Sequence, residues 1–195
     1  MEVKDGYVYH IKDSYFAKVN DNKLMSNKDN GKFRPTYFCF RDLNTNLIWV
    51  VPMSSKYKKY KAIAENKAQK YGKCDTIILG KFDGQASAFL IQNMFPITEA
   101  YLDHAHTRNN NPVPVNYKLK QEIFTCANKV LLLTRKGYNL VFPDVLRLEK
   151  IMLQELSLNS NKVKSPLSRN QIIRNAKAIA GQKHFSNAKD KSKSR

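Results

Sequence analysis

Apolar positions in the first half of the chain come in short runs rich in β-branched and aromatic residues and bounded by turn formers. Gly6-Tyr7-Val8-Tyr9-His10-Ile11, Thr36-Tyr37-Phe38-Cys39-Phe40-Arg41 and Leu47-Ile48-Trp49-Val50-Val51 read as strands, because such side chains suit a pleated surface. Asp42-Leu43-Asn44-Thr45-Asn46 separates the last two runs with residues that bond their own backbone in turns, so the spacing predicts an antiparallel hairpin. Thr76-Ile77-Ile78-Leu79 and Ala88-Phe89-Leu90-Ile91 flank Gly80-Lys81-Phe82-Asp83-Gly84 and predict a second pair.

From Ser55 the period changes. Tyr57, Tyr60, Ala64, Ala68 and Tyr71 fall on one face of a helix, predicted to be capped by Ser54 or Ser55 and stopped at Gly72. A longer helix is predicted over Tyr117 to Arg135, with Ile123, Phe124, Ala127, Val130 and Leu131 as its core stripe. A third follows Pro143-Asp144 and turns Val145, Leu148 and Met152 inward, and Ser168 to Gly181 reads as a short basic amphipathic helix. Strands first and helices later is an α+β pattern. Residues 1–156 are predicted to form a single domain, 157–186 a basic helical extension, and 187–195 a disordered tail with no apolar residue larger than alanine.

Charge narrows the choice of partner. The 195 residues carry 34 Lys+Arg against 16 Asp+Glu, a formal +18, while 42% hydrophobic residues are enough to close a core. Such an excess attracts polyanions, so nucleic acid is the first partner to consider and an anionic membrane the second. Half of the net charge lies between Lys162 and Arg195, and a second concentration of seven lysines against Glu65 lies between Lys56 and Lys73. Ile172, Ile173 and Ile179 offer too little apolar area for firm insertion, so a peripheral membrane protein ranks last. No run approaches membrane-spanning length and no leader is visible, which predicts a soluble cytoplasmic protein without a membrane partner. Cys39, Cys74 and Cys126 are widely spaced and read as buried thiols.

The usual phosphate-loop, dinucleotide, hydrolase-elbow and zinc-protease motifs do not occur. Asp103-His104-Ala105-His106 invites a metal reading, but Asn109-Asn110-Asn111-Pro112 nearby reads as loop and the remaining ligands are unassigned, so no metal or other cofactor is expected. The informative stretch is Pro52-Met53-Ser54-Ser55-Lys56-Tyr57-Lys58-Lys59: a strand end, two hydroxyls and several lysines at the start of a helix, a combination suited to a phosphate. An ordinary serine cap before a solvated lysine helix accounts for the same spacing. The phosphate need not be a resting ligand; it can be the scissile phosphodiester of RNA, whose cleavage requires a proton acceptor, donors for the phosphorane oxygens and an acid.

At these residues the chain resembles the endoribonuclease toxins of type III toxin–antitoxin systems, the ToxN/AbiQ family, and most of all the CptN and TenpN branch. The resemblance rests on Ile11-Lys12-Asp13-Ser14-Tyr15, Arg34-Pro35-Thr36-Tyr37-Phe38, Pro52-Met53-Ser54-Ser55-Lys56 and the stretch from Gly84 to the Phe95-Pro96-Ile97 turn, in that order, and covers residues 5–155. It implies a compact, strongly bent antiparallel sheet surrounded by helices, as in MazF/Kid-like toxins. It also implies metal-independent, sequence-selective RNA cleavage leaving a 2′,3′-cyclic phosphate and a 5′-hydroxyl. Further implications are processing of, and inhibition by, a repeat-encoded RNA pseudoknot antitoxin, action on cellular or phage RNA in abortive infection, and a cyclic toxin–RNA hetero-oligomer. Carried over by position, Tyr15 lines the cut site, Ser54 and Ser55 are the hydroxyl pair, and Arg34 is a basic groove residue. In the ToxN branch the lysine follows Thr-Ser-Pro, whereas here it follows Ser-Ser directly, so Lys56 is the first choice for the phosphate and Lys58 and Lys59 remain open. Gln92 and Asn93 are weaker choices for RNA contacts. His10 is the ordinary candidate for proton transfer but ranks below Tyr15, because the facing of its strand is not fixed by the pattern. A non-catalytic RNA-binding module explains the charge and the aromatics equally well.

Overall fold

The structure is a computed structural model that describes residues 3–29 and 31–163. The chain divides into two compact units, Met1–Leu156 and Ser157–Arg195. The expected helix at 168–181, most of the expected extension and the expected tail lie outside the described residues.

The fold is α+β. Its centre is an antiparallel sheet built from β1 (Val8–Ile11), β4 (Thr36–Arg41), β5 (Ile48–Ser54), β6 (Ile78–Phe82), β7 (Gln85–Phe89), β8 (Phe95–Ile97) and β9 (Leu102–Ala105). The order is β6-β7-β5-β4-β1-β9. Two-residue strands β2 (Lys28–Asp29) and β3 (Lys32–Phe33) pair with each other, as do β10 (Thr107–Arg108) and β11 (Asn111–Pro112). The helices are α1 (Asp13–Val19), α2 (Tyr57–Tyr71), α3 (Tyr117–Arg135) and α4 (Val145–Val163).

β5 is the spine. Along one edge it pairs with β4; along the other it pairs first with β8, through Ile48, Trp49 and Val50, and then with β7, through Met53 and Ser54. β5 thus exchanges partners along a single edge. Alternation explains why the strand runs read as continuously apolar: both faces are covered. Val8, Tyr37, Cys39, Trp49 and Val51 pack against Ile123, Ala127, Val130 and Leu131 of α3. Tyr9, Ile11, Phe38, Ile48 and Val50 pack against Tyr15 and Val19 of α1 and Leu148 and Met152 of α4. Each fully buried side chain of this size contributes about 1.5–3 kcal/mol over an exposed one. A smaller cluster seats α2 through Ala64 on Ile77, Ala88 and Leu90.

The expected hairpin of β4 and β5 is present, and α3 spans the expected residues, though Phe124 of the expected stripe is 42% exposed. The second pair is displaced from its expected place: β6 and β7 run on to Phe82 and from Gln85. The reason is the turn. Asp83 and Gly84 both have left-handed backbone, φ 50° and 79°, the two-residue geometry that continues strand twist, so the segment taken for a loop is mostly strand. α3 approaches β6 closely at Gly80, where a Cβ would lie 2.5 Å from Leu119 Cδ2 and make that side chain shift. The short helix α1 escaped the pattern because it follows β1 after one residue and buries only Tyr15 and Val19. Cys39 is buried as expected, whereas Cys74 and Cys126 are partly exposed. Among the described residues no helix is long and apolar enough to cross a membrane.

Candidate active site

β5 ends at Ser54, opposite Ala88 of β7. Ser54 is buried, and its Oγ accepts a hydrogen bond from the Lys56 amide at 3.2 Å, which leaves the hydroxyl hydrogen to donate elsewhere. Ser55 is exposed beside it. Both serines line a cleft of about 510 Å³ whose other walls are Lys32 to Pro35, the β6–β7 hairpin through Phe82, Asp83, Gln85 and Ser87, and His106. The serines belong to the strand end rather than to the helix. α2 begins at Tyr57 with Lys56 at its cap position and no side-chain cap bond, so the expected serine cap is not formed.

The cation beside the serines is Arg34. Its Nη1 donates to the Met53 carbonyl at 3.2 Å and its Nε to the Ser26 carbonyl at 2.9 Å, which pins the guanidinium to the tip of β5. Lys32, exposed on β3, adds a second cationic side chain to the wall. Lys56, Lys58 and Lys59 are exposed at the start of α2 and are not among the residues that line the cleft, where the lysine is Lys32.

Three further candidates lie away from the cleft walls. Tyr15 is fully buried; its hydroxyl donates to the Pro96 carbonyl at 2.9 Å and its ring stacks on Phe95 at 5.1 Å. Burial holds its phenol well above the ordinary range, so it is a core residue and does not line the cleft. Gln92 is buried, and its Oε1 accepts from Lys67 Nζ at 2.8 Å. Asn93 is buried in the same short 3-10 turn, and neither amide lines the cleft. Phe38 and Trp49 are buried in the core.

The site also gathers imidazoles. His10 stacks on His104 at 4.5 Å between ring centroids and lies 6.2 Å from His106. His106 Nε2 is 3.2 Å from Asp83 Oδ2. Among the described residues no group of three or more His, Cys, Asp or Glu side chains is arranged to hold a metal ion.

No family model matches the chain, and no curated protein matches it. Eight solved chains do match. The fold is similar to that of AbiQ. That protein is described as a lactococcal anti-phage endoribonuclease belonging to the type III toxin–antitoxin system; the superposition has a TM-score of 0.53 at 14% identity and covers 80% of this chain and 98% of AbiQ. At that identity the likeness to AbiQ is one of fold. Which side chains act must come from the cleft itself.

Sequence reasoning named three cleft residues, Arg34, Ser54 and Ser55, and missed Lys32, Asp83, Gln85 and Ser87. Lys32 sits two residues before Arg34, inside a Gly-Lys-Phe-Arg-Pro run that was read only from its arginine onward. The Asp83-Gly84 dipeptide was the available signal for a tight turn that aims a carboxylate.

Proposed function

We propose that the protein is an endoribonuclease toxin of a type III toxin–antitoxin system, of the CptN and TenpN branch, acting at the cleft formed by Lys32, Arg34, Ser54 and Ser55. The observation that supports it most is the pinned Arg34 guanidinium beside the Ser54 hydroxyl at the tip of a buried strand, in a fold similar to AbiQ. A phosphodiester seated there meets fixed positive charge and a hydroxyl donor. Both act most strongly on the extra negative charge of a five-coordinate phosphorus. Attack by the neighbouring 2′-hydroxyl yields a 2′,3′-cyclic phosphate and a 5′-hydroxyl, and the charge is taken up by side chains without a metal. The formal +18 supports capture of structured RNA, the antitoxin pseudoknot in the resting complex and cellular or phage RNA when released, with toxin and antitoxin RNA closing a ring in the cytoplasm. Gln85 and Ser87, on the opposite wall, are polar groups suited to base or ribose contacts.

The test is incubation of the full chain with single-stranded RNA in excess EDTA, followed by analysis of the new ends. Cyclic phosphate and 5′-hydroxyl ends that disappear in Ser54→Ala are expected. Tight binding of RNA with no cleavage by the unsubstituted chain would reduce the protein to an RNA-binding module.

A further inference from the structure

The proton leaving the 2′-hydroxyl needs an acceptor, and one imidazole of a cluster of three, His106, lines the cleft. The cluster is a product of irregular pairing. Tyr9 pairs with Ala105 and Ile11 with Leu102, so Asp103 and His104 together oppose the single residue His10. Such a bulge re-aims side chains. It leaves His104 face to face with His10, and the chain continues to His106, whose amide donates to the Val8 carbonyl at 2.8 Å.

The three rings are not equivalent. His10 has its Nδ1 buried without a partner, and burial, reinforced by His104 and His106, holds its pKa down at about 4, so it stays neutral and idle. His104 bonds Asp103 Oδ2 at 2.9 Å in solvent and does not line the cleft. His106 lines the cleft with Ser54 and Ser55 and is backed by Asp83. An ionised carboxylate only accepts, so Nε2 carries the hydrogen toward Asp83 and Nδ1 keeps its lone pair. Asp83 is itself fixed from two sides: Arg108 Nε lies 2.7 Å from Oδ1, and Arg108 Nη2 donates to the Asp83 carbonyl at 2.7 Å.

We propose that His106 is the general base of the RNA cleavage described above, with Asp83 as its positioning residue; the inference rests on that reading of the cleft. Nδ1 takes the 2′-hydroxyl proton as the 2′-oxygen–phosphorus bond forms. The bond from phosphorus to the 5′-oxygen breaks, that oxygen takes a proton from water in the open cleft, and the imidazolium returns its proton to solvent. The charged and titratable groups around His106 are Asp83 and Arg108 on the two hairpins, His10, His104 and Asp103 on β1 and β9, and Lys32 and Arg34 on the cleft wall.

The experiment measures single-turnover cleavage of a short RNA between pH 5 and 8 by the full chain and by His106→Gln, Asp83→Asn and His104→Gln, with affinity for a 2′-O-methyl RNA measured alongside. The unsubstituted chain should cleave faster as pH rises from the acid side, because only an unprotonated base accepts the 2′-hydroxyl proton. His106→Gln should lose about 10²–10⁴-fold in rate together with that acid limb, while its affinity for the uncleavable RNA stays within threefold. Asp83→Asn should fall between the two, and His104→Gln should stay within twofold of the unsubstituted rate. If the chain cleaves RNA and His106→Gln keeps both rate and pH limb, the base is elsewhere and the nuclease reading survives. A pH-independent rate in the unsubstituted chain overturns the proposal even if His106→Gln fails to fold. Absence of cleavage by the unsubstituted chain overturns the nuclease reading instead, and the base with it.

Discussion

Among the described residues, two of the cavities are nearly equal in size, and lysines line both. One is the cleft of about 510 Å³ at the tip of β5; the other, of about 530 Å³, lies between α2, the start of β6, α3 and the segment from Asn139 to Phe142. In the second, the positive groups are used up holding the fold together. Lys73 and Lys129 both contact Asp75, at 3.3 and 2.5 Å, and Lys67 donates to Thr76 Oγ1 and Gln92 Oε1 at 2.9 and 2.8 Å. Burial opposes ionisation of Asp75, yet the two ammonium groups still hold its carboxyl below the usual range. In the first, Arg34 donates to the Ser26 and Met53 carbonyls, and Lys32 stands exposed on the wall. The difference shows that a count of cations does not identify a phosphate site. What each cation is bonded to decides.

The sharpest way to break this comparison is to remove one ammonium from each cavity. Lys32→Ala should lower RNA cleavage by about 10²-fold, as loss of one transition-state donor does, whereas Lys67→Met should leave the cleavage rate within threefold. Lys67→Met should instead cost about 1–3 kcal/mol of stability, read by denaturant unfolding, because the buried Gln92 oxygen loses its donor. Equal losses of cleavage in both variants would mean that the cavities work as one surface.

A smaller effect separates the cleft from the core beneath it. Tyr15→Phe should lower stability by about 1 kcal/mol through the lost bond to Pro96 and leave cleavage unchanged. A large loss of cleavage at unchanged stability would return Tyr15 to the site. The smallest expected effect concerns pH. His10 titrates near 4 when folded and at an ordinary value when unfolded, so the unfolded chain binds the extra proton and stability declines as pH falls from about 6.5 toward 4. His10→Gln removes this contribution, and its melting temperature should vary less across that window than that of the unsubstituted chain. An identical slope would show that other groups govern acid sensitivity.

Much of the fold was legible in the sequence because periodicity reports burial directly. Tyr117 to Arg135 carries Ile123, Ala127, Val130 and Leu131 at helical spacing, and the runs that became β4 and β5 are interrupted only by turn formers. The site was legible where short motifs carry it, as with Arg34 before Pro35 and the adjacent Ser54 and Ser55. Lys32, Asp83 and His106 come from three separate segments and meet only because hairpin and bulge geometry brings them together. Tyr15 misled for the opposite reason: its short motif matches a family pattern, while its facing is set by α1, whose burial a seven-residue window cannot report.

β5 is buried at all seven positions and bonded on both edges, first to β8 and then to β7. Its tip cannot swing toward an incoming molecule without unzipping the middle of the sheet. Adaptation at the serines therefore falls to the guest. An unpaired, splayed strand able to twist its ribose into line would be accommodated there, and a stiff duplex would be turned away.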